Sequence, residues 1–281
     1  MVMSLLDKGD EIVVLTPNYL QIYGWARALG VVVKVVEHDG DNDWQPDLDA
    51  LDAAVTPATK LITICHPNNP TGAVLNGESM RRVVEIAARH GAYLHADEVY
   101  KGSELDGPEC ESFRDLYDNA IVTNGLSKAM ALPGLRIGWL AGRADDIYTA
   151  WQRKDYTSIT TSAISEYVAE RVLKPELRSK ILQRSKTILN ENLALLADWI
   201  EANSDHVSLI PPKAGGMAFV RYHFEANSTE LVHRLRDEKR VLLLPGDVYG
   251  MDGFFRVGIG SPRSHLEPGL ERISDYIRAN Y

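Results

Sequence analysis

A lysine and an arginine stand eight positions apart in a stretch rich in small residues. Lys128 ends the run Gly125-Leu126-Ser127-Lys128, and Arg136 lies within Gly134-Leu135-Arg136-Ile137-Gly138. Small neighbours leave room for a bulky ring near the Lys128 amine, and the planar guanidinium of Arg136 matches a phosphate. Taken alone, the pair is explained more simply as a solvated lysine and a structural ion pair, because most lysines are exposed.

Two further polar clusters follow apolar runs. Asn69-Pro70-Thr71-Gly72 comes after the run 61–65, and Asp97-Glu98-Val99-Tyr100 comes after the run 92–95. In isolation the first cluster indicates a tight loop, and an acid such as Asp97 often caps the next helix. We nevertheless expect the three clusters to meet, since each follows a predicted strand of one sheet and ligands bind beyond the carboxyl ends of such strands.

The elements that must position these residues alternate between strands and helices. The run Ser79–His90 has apolar residues at helical spacing, so it predicts an amphipathic helix. This alternation is typical of an α/β fold with a mainly parallel, doubly wound sheet. The predicted strands are mostly apolar on both faces and comprise Glu11–Leu15, Val31–Val36, Leu61–Cys65, Ala92–His95, Ala120–Thr123 and Ile137–Ala141.

The C-terminal part of the chain has a different pattern. A long helix is predicted from Pro175 to about Asn203, and four short strands and two helices follow it. We therefore predict a large domain over residues 1–175, and a linking helix with a smaller α+β domain over 176–281. The later strands are predicted at Val207–Ile210, Ala218–Tyr222, Val241–Leu244 and Phe254–Ile259, and the helices at Ser228–Glu238 and Leu266–Arg278.

Composition restricts the possible partners. The formal charge of −9 argues against nucleic acid and anionic membranes, which would repel the chain. Cys65 and Cys110 are far apart, so a disulfide framework or a zinc site is not expected, and a cytoplasmic location is the simplest prediction. No window has the roughly 18 apolar residues of a membrane helix.

The order of Asn-Pro-Thr-Gly, Asp-Glu-Val-Tyr, Ser-Lys and Gly-Leu-Arg-Ile-Gly resembles the class I/II aminotransferases of fold type I, the relatives of aspartate aminotransferase. The resemblance covers the chain from residue 4 to its end. It implies a pyridoxal 5′-phosphate (PLP) enzyme that moves an amino group between an amino acid and a 2-oxo acid. It also implies a homodimer for the full-length protein.

The resemblance assigns a role to each motif. Lys128 is implied to form the Schiff base with PLP and then to move a proton at the substrate. Asp97 is implied to pair with the pyridine nitrogen, which keeps the ring electron-withdrawing. Asn69 and Tyr100 are implied to bond the phenolic oxygen of the cofactor, and Arg136 is implied to bind its phosphate.

Two more residues match the family pattern. Tyr19 resembles the aromatic residue that stacks on the pyridine ring, although a buried core tyrosine is the alternative. Arg256 lies in an apolar strand, where a charge needs a partner. The resemblance implies that Arg256 binds the substrate α-carboxylate beside Asn69, and a structural salt bridge is the alternative.

Family members have about a hundred further residues before the first position here, including a phosphate-binding loop. Met1–Lys8 would then be the end of a helix that finishes at Gly9. Gly125 also stands where many relatives have a phosphate-binding serine. We therefore predict that these 281 residues bind PLP weakly. A PLP-dependent lyase, decarboxylase or cyclising synthase and a non-catalytic paralogue remain alternatives, and the motifs do not identify the amino acid substrate.

Overall fold

A computed structural model describes all 281 residues. Two sheets and ten helices account for most of the chain. The strands are β1 Glu11–Thr16, β2 Val32–Asp39, β3 Gln45–Pro46, β4 Thr59–Cys65, β5 Tyr93–Asp97, β6 Ala120–Gly125, β7 Gly138–Ala141, β8 Val207–Leu209, β9 Met217–Tyr222, β10 Leu244–Pro245 and β11 Phe254–Gly258. The helices are α1 Val2–Leu5, α2 Gln21–Ala28, α3 Leu48–Ala54, α4 Gly77–His90, α5 Phe113–Leu116, α6 Ala144–Lys154, α7 Ala163–Val172, α8 Pro175–Ala202, α9 Ser228–Lys239 and α10 Arg263–Asn280.

The larger sheet has seven strands in the order β3-β2-β1-β4-β5-β6-β7. The pairs among β2, β1, β4, β5 and β6 are parallel, whereas β3 and β7 pair antiparallel at the two edges. The four central residues of β1 are buried, as expected for a strand covered on both faces. The predicted α/β class with a mainly parallel sheet is therefore confirmed.

Helix α4 covers this sheet and is defined at both ends by its own sequence. Asn76 caps its N-terminus, since the side-chain oxygen accepts a 2.8 Å hydrogen bond from Ser79 N. Gly91 ends it with φ +66, a conformation that glycine adopts without steric cost. Met80 and Val83 on its inner face are buried against the sheet.

The smaller sheet is antiparallel in the order β10-β11-β9-β8. The C-terminal half of α8 packs on it through buried Leu196 and Trp199. Earlier in the same helix, Ile181 and Leu182 pack against a cluster formed by the loop after β6 and by α7. Helix α8 thus packs on residues from both parts of the chain, and the division of the chain at residue 175 stays a prediction.

The two sheets are also joined by the loop that follows β4. Gly72 has φ +70, and a Cβ there would lie 2.7 Å from the carbonyl oxygen of Ala214. The carbonyl oxygen of Gly72 accepts 2.9 Å hydrogen bonds from the backbone N–H groups of Lys213 and Ala214. This close approach explains the glycine of the Asn-Pro-Thr-Gly motif.

One helix, one strand and the position of Asp97 differ from the sequence-based predictions. Helix α1 ends at Leu5, four residues before Gly9, which has φ +92 in the turn that follows. The predicted strand 241–244 is mostly absent, because Val241 and Leu243 are buried without pairing and only Leu244–Pro245 forms a ladder. Asp97 is the last residue of β5 and does not follow the strand. None of the ten helices combines the length and the hydropathy that a membrane span requires.

Candidate active site

A cleft of about 1150 Å³ lies at the carboxyl ends of β4, β5 and β6 and extends to β11 of the smaller sheet. This is the position at which parallel α/β sheets bind ligands. Every site residue predicted from the sequence lines this cleft: Tyr19, Asn69, Asp97, Tyr100, Lys128, Arg136 and Arg256. The sheet therefore brings the separate motifs together.

Lys128 lies in the turn that follows β6. Its side chain is exposed to the cleft, and its amine forms no hydrogen bond or ion pair within the chain. The backbone beside it is unusually close to its neighbour strand, since a Cβ on Gly125 would lie 2.8 Å from the carbonyl oxygen of Ile137. A Cβ on Gly138 would likewise lie 2.8 Å from the carbonyl oxygen of Asn124, so both glycines are required for this pairing.

Asp97 is mostly buried at the end of β5. Its Oδ1 accepts hydrogen bonds of 3.3 Å from the Val99 N–H and from the Thr123 hydroxyl, while Oδ2 has no partner in the chain. Burial raises the pKa of the Asp97 carboxyl, and these hydrogen bonds and the charge of Lys128 partly oppose that shift. No helix begins at Asp97, so the helix-cap alternative is wrong.

Two tyrosines border the same space in different environments. Tyr19 is 55% exposed, which contradicts the alternative of a buried core tyrosine. Tyr100 is buried, and its hydroxyl has no hydrogen-bond partner in the chain. Burial raises the pKa of Tyr100, so the phenol stays protonated and can donate a hydrogen bond.

Arg256 lies in β11 and is held by two neutral groups. Its Nη1 donates 2.8 Å hydrogen bonds to Asn69 Oδ1 and to the Tyr249 hydroxyl. No carboxylate lies within salt-bridge distance of Arg256, so the structural salt-bridge alternative is wrong. The guanidinium keeps its charge and most of its donors for an anion in the cleft.

Arg136 approaches the cleft from the other side. It adopts a left-handed conformation with φ +52 at the end of the short helix Pro133–Leu135. Its Nη1 donates a 2.9 Å hydrogen bond to the carbonyl oxygen of Pro133, and it forms no ion pair. This bond orients the guanidinium, and its remaining N–H groups have no partner in the chain.

The charge of the cleft is opposite to that of the whole chain. The lining contains four basic side chains, Lys128, Arg136, Arg184 and Arg256, and one carboxylate, Asp97. The complete sequence carries a formal charge of −9. A locally positive cleft in an acidic protein concentrates small anions while the rest of the surface repels large ones.

The family model for aminotransferase class I and II matches residues 1–273. The chain belongs to the class I and II aminotransferases. A capreomycidine synthase from Streptomyces vinaceus is 31% identical over 267 residues, which are 95% of this chain and 68% of that protein. An aspartate aminotransferase from Thermotoga maritima is 27% identical over 283 residues, which are 99% of this chain and 72% of that protein.

Solved structures of aminotransferases have the same fold. A PLP-dependent aminotransferase from Streptococcus suis superposes with a TM-score of 0.91 at 38% identity, covering 99% of this chain and 73% of that one. An aspartate aminotransferase variant from Thermus thermophilus superposes with a TM-score of 0.91 at 25% identity, covering 97% of this chain and 75% of that one. This protein is therefore a PLP-dependent aminotransferase with the aspartate aminotransferase fold.

The donor set of the cleft fits the groups of PLP. The unpaired amine of Lys128 suits an aldehyde, and the free oxygen of Asp97 suits a protonated ring nitrogen. The unpaired hydroxyl of Tyr100 suits a phenolic oxygen, and the guanidinium of Arg136 suits a phosphate. Each of these side chains has bonding capacity that the chain itself does not use, as a ligand site requires.

Several residues of this cleft were not predicted as site residues, among them Cys65, Tyr249 and Arg184. Cys65 is buried at the end of β4, opposite Asp97 in the sheet register, and burial with the Asp97 charge raises the pKa of its thiol. Tyr249 stands seven positions before Arg256, at the end of the short helix Gly246–Tyr249, and Arg184 lies on α8. The hydrophobic spacing of α8 predicted the helix that carries Arg184, but it did not predict which face of the helix borders the cleft.

Proposed function

We propose that Lys128 is the catalytic residue of this aminotransferase and moves a proton at the α-carbon of the bound amino acid. PLP, when bound, supplies an electron sink that stabilises negative charge at that carbon. The observation that carries the proposal is that the Lys128 amine and the Asp97 carboxylate border one cleft, close enough for the lysine charge to lower the carboxyl pKa. An amine without an internal partner is free to accept and return a proton.

The cofactor roles follow from the unused donors and acceptors. We assign Asp97 to the pyridine nitrogen, Arg136 to the phosphate, and Tyr100 with the Asn69 amide to the phenolic oxygen. The Asn69 amide nitrogen is available because Arg256 occupies only its oxygen. Tyr19 covers one face of the ring, a role supported by its exposure in the cleft.

We assign Arg256 to the α-carboxylate of the substrate. Its two neutral partners orient the guanidinium without cancelling its charge, and a guanidinium binds a carboxylate through two parallel hydrogen bonds. Fixing the carboxylate in this way orients the α-hydrogen of the substrate toward the Lys128 amine. Such orientation removes much of the entropic barrier to the proton transfer.

Amino transfer from a panel of amino acids to 2-oxoglutarate and to pyruvate, with PLP in excess, tests the proposal. Lys128→Ala should abolish the transfer, whereas Lys180→Ala should leave it unchanged, because Lys180 is exposed on α8 outside the cleft. Borohydride should fix PLP covalently to the wild-type chain and not to Lys128→Ala. Equal activity of the two lysine variants would sink the assignment.

A different reaction with the same cofactor is the second candidate. The similarity to a capreomycidine synthase favours it, since that relative is named for a synthesis and not for amino transfer. A lyase or decarboxylase would release ammonia or carbon dioxide from the amino acid without a 2-oxo acid acceptor. Measuring these products beside amino transfer separates the candidates.

We further propose that the protein is a homodimer and that the chain divides near residue 175 into large and small domains. Exposed aromatic residues on α6 and α7, among them Trp151 and Tyr167, support an interface between copies. Both cysteines are free, which supports a reducing, cytoplasmic location. Sedimentation analysis would give the oligomeric state.

A further inference from the structure

A buried histidine lies inside the larger sheet, two residues before Asp97. His95 is only 1% exposed, and its two neighbours within β5 are apolar. Its Nδ1 lies 2.8 Å from the Thr63 hydroxyl oxygen, and its Nε2 lies 3.2 Å from the Thr123 hydroxyl oxygen. An imidazole in an apolar core costs stability unless its nitrogens are bonded. The structure thus supplies His95 with a partner on each side.

The two other buried histidines are bonded differently. Neither ring nitrogen of His38 has a hydrogen-bond partner, and His66 has a partner on Nδ1 alone, the backbone N–H of Leu75 at 3.4 Å. His95 is therefore the one buried histidine with hydrogen bonds at both nitrogens. Two such bonds fix the plane of the ring and allow it to link one side chain to another.

The two threonines extend these bonds into a chain that ends at Asp97. The parallel register places Thr63 of β4 beside His95, and Thr123 of β6 beside Asp97. His95 and Asp97 are two residues apart on one strand, so their side chains project from the same face of the sheet. The Thr123 hydroxyl donates a 3.3 Å hydrogen bond to Asp97 Oδ1. The polar chain of Thr63, His95, Thr123 and Asp97 therefore crosses three neighbouring strands and ends at the cleft.

The end groups set the direction of every bond in this polar chain. An ionised Asp97 can only accept, so Thr123 donates its single hydroxyl proton to it. The Thr123 oxygen must then accept a hydrogen bond from His95 Nε2–H. Burial lowers the pKa of His95 to about 3, so the ring is neutral and its Nδ1 accepts from Thr63. All three donors point toward the carboxylate, and hydrogen bonds aligned in this way strengthen one another.

The surroundings of Asp97 show what the polar chain opposes. Burial raises the pKa of the Asp97 carboxyl, and the hydrogen bonds to Oδ1 lower it. The other titratable groups around it are Cys65 on β4, Tyr100 after β5 and Lys128 after β6. Burial raises the pKa of the Cys65 thiol and of the Tyr100 phenol, so Lys128 is the only cation among them. The polar chain engages Oδ1 and leaves Oδ2 open to the cleft.

We propose that His95 is a positioning residue of this enzyme, which acts through Thr123 to keep Asp97 ionised and to hold Oδ2 toward the ring nitrogen of PLP. Asp97 is the partner of that nitrogen in the proposed function, on which this inference rests. Neither His95 nor Thr123 lines the cleft. The competing explanation is a core histidine whose bonds only satisfy its own buried nitrogens. A histidine of that kind would have no fixed bond direction and no effect on Asp97.

The tautomer of His95 tests the direction of the polar chain without any substitution. In the cofactor-free protein labelled with ¹⁵N-histidine, Nε2 of His95 should carry the proton and Nδ1 should carry none at pH 7. The signal is assigned by its absence from His95→Gln. A proton on Nδ1 would reverse the bond to Thr123 and overturn the proposal.

Thr123→Val removes the hydroxyl that joins His95 to Asp97. A ¹³C NMR titration of the cofactor-free protein should then show the pKa of Asp97 raised by about one unit, the effect of one lost hydrogen bond to a charged group. Thr123→Ser should restore the wild-type pKa. His95→Leu should raise it by a smaller amount, since the Thr123 hydroxyl then lacks the donor that orients it. An unchanged Asp97 pKa in either Thr123→Val or His95→Leu contradicts the proposal.

Thr59→Val is the matched control for these variants. Thr59 is also a buried threonine of the larger sheet, and its hydroxyl also donates to a carboxylate, that of Glu11. It lies at the start of β4, whereas the cleft is at the end of that strand. Thr59→Val should therefore lower stability in the same way and leave the Asp97 pKa and the His95 tautomer unchanged.

The ring nitrogen of the cofactor gives a further readout on the holoenzyme. With ¹⁵N-labelled PLP, that nitrogen should be protonated in the wild-type protein and less protonated in Thr123→Val, with kcat about tenfold lower and KM little changed. A wild-type signal in Thr123→Val beside an altered one in Asp97→Asn would contradict the role of the polar chain. The proposed pairing of Asp97 fails separately, if Asp97→Asn leaves the ring nitrogen protonated. The His95 tautomer and the Asp97 pKa are measured without PLP and do not depend on that pairing.

Discussion

Arg256 Nη1 donates a 2.8 Å hydrogen bond to Asn69 Oδ1, although 187 positions separate the two residues in the chain. Asn69 belongs to the loop after β4 of the larger sheet, and Arg256 to β11 of the smaller one. The bond therefore crosses between the two sheets at the cleft. The bond orients the Arg256 guanidinium without neutralising its charge. The affinity of Arg256 for an anion in the cleft therefore depends on Asn69 being uncharged.

Asn69→Asp should weaken substrate binding more than Asn69→Ala does. The aspartate would place a carboxylate against the Arg256 guanidinium, where it competes with the substrate carboxylate. We expect KM for the amino acid to rise by about tenfold or more with Asn69→Asp, and several-fold with Asn69→Ala. Steady-state kinetics at saturating PLP measure both. Unchanged KM in the aspartate variant would show that Arg256 does not bind the substrate.

Asp97→Asn should bind PLP poorly and lose nearly all activity. The amide has the same shape as the carboxylate but leaves the protonated ring nitrogen without its ion pair, a loss of about 3 kcal/mol or two orders of magnitude in rate. Single-turnover kinetics and a PLP titration measure the two effects. Asp118→Asn is the control, because its side chain is fully exposed far from the cleft.

Buried histidines should make the fold sensitive to mild acid. Burial lowers the pKa of His38 and His66 to about 4 and that of His95 to about 3, from an ordinary value of 6.5. The unfolded chain therefore binds three protons near pH 5 that the folded chain does not. Stability should fall as the pH drops below 6.5, by up to about 4 kcal/mol per pH unit.

One carboxyl group acts in the opposite direction. Burial raises the pKa of Glu98 to about 7, so the folded chain holds a proton that the unfolded chain releases above 4.5. Glu98 therefore favours folding at low pH and loses that contribution as the pH rises through 7. Near pH 5 it offsets about 1 kcal/mol per pH unit of the stability change that the histidines cause. Urea unfolding from pH 5 to 7 gives the net slope. His38→Leu should reduce it by about 1.4 kcal/mol per unit, and a slope unaffected by that change would contradict the assignment.

PLP titration of the 281-residue chain should show weak binding. Arg136, the residue assigned to the phosphate, is exposed to solvent and contributes a single guanidinium. An exposed ion pair stabilises a complex by only about 1 kcal/mol. Absorbance at increasing PLP measures the affinity, and Arg136→Gln should weaken it further. Tight stoichiometric binding would show that the cleft holds the phosphate with other groups.

Sequence patterns located the central strands of the larger sheet well because β1, β4 and the start of β6 are buried on both faces. The strands predicted at 11–15 and 120–123 are found at Glu11–Thr16 and Ala120–Gly125. Continuous apolar runs give that signal, whereas Gln45–Pro46 is too short to give any. The prediction of a strand at 241–244 was wrong because Val241 and Leu243 pack into a core without pairing to another strand.

The site could be predicted only in part. The seven predicted residues meet in one cleft because six of them follow or end strands of the larger sheet and Arg256 lies within β11 of the smaller one. Tyr249 and Arg184 could not be predicted, since their positions in the cleft depend on how the short helix Gly246–Tyr249 and α8 are oriented. Sequence spacing carries no information on such distant packing.

The backbone contact between Gly125 and Gly138 limits which substitutions this enzyme can accept. A serine at position 125 would place its Cβ against the Ile137 carbonyl oxygen, so it would fit only if the edge strand β7 shifted away. A side chain at position 138 would meet the Asn124 carbonyl oxygen in the same way, so a single substitution at either position should destabilise the pairing of β6 with β7. A single Gly125→Ser replacement should therefore fail to strengthen phosphate binding, because the edge strand β7 would have to move with it.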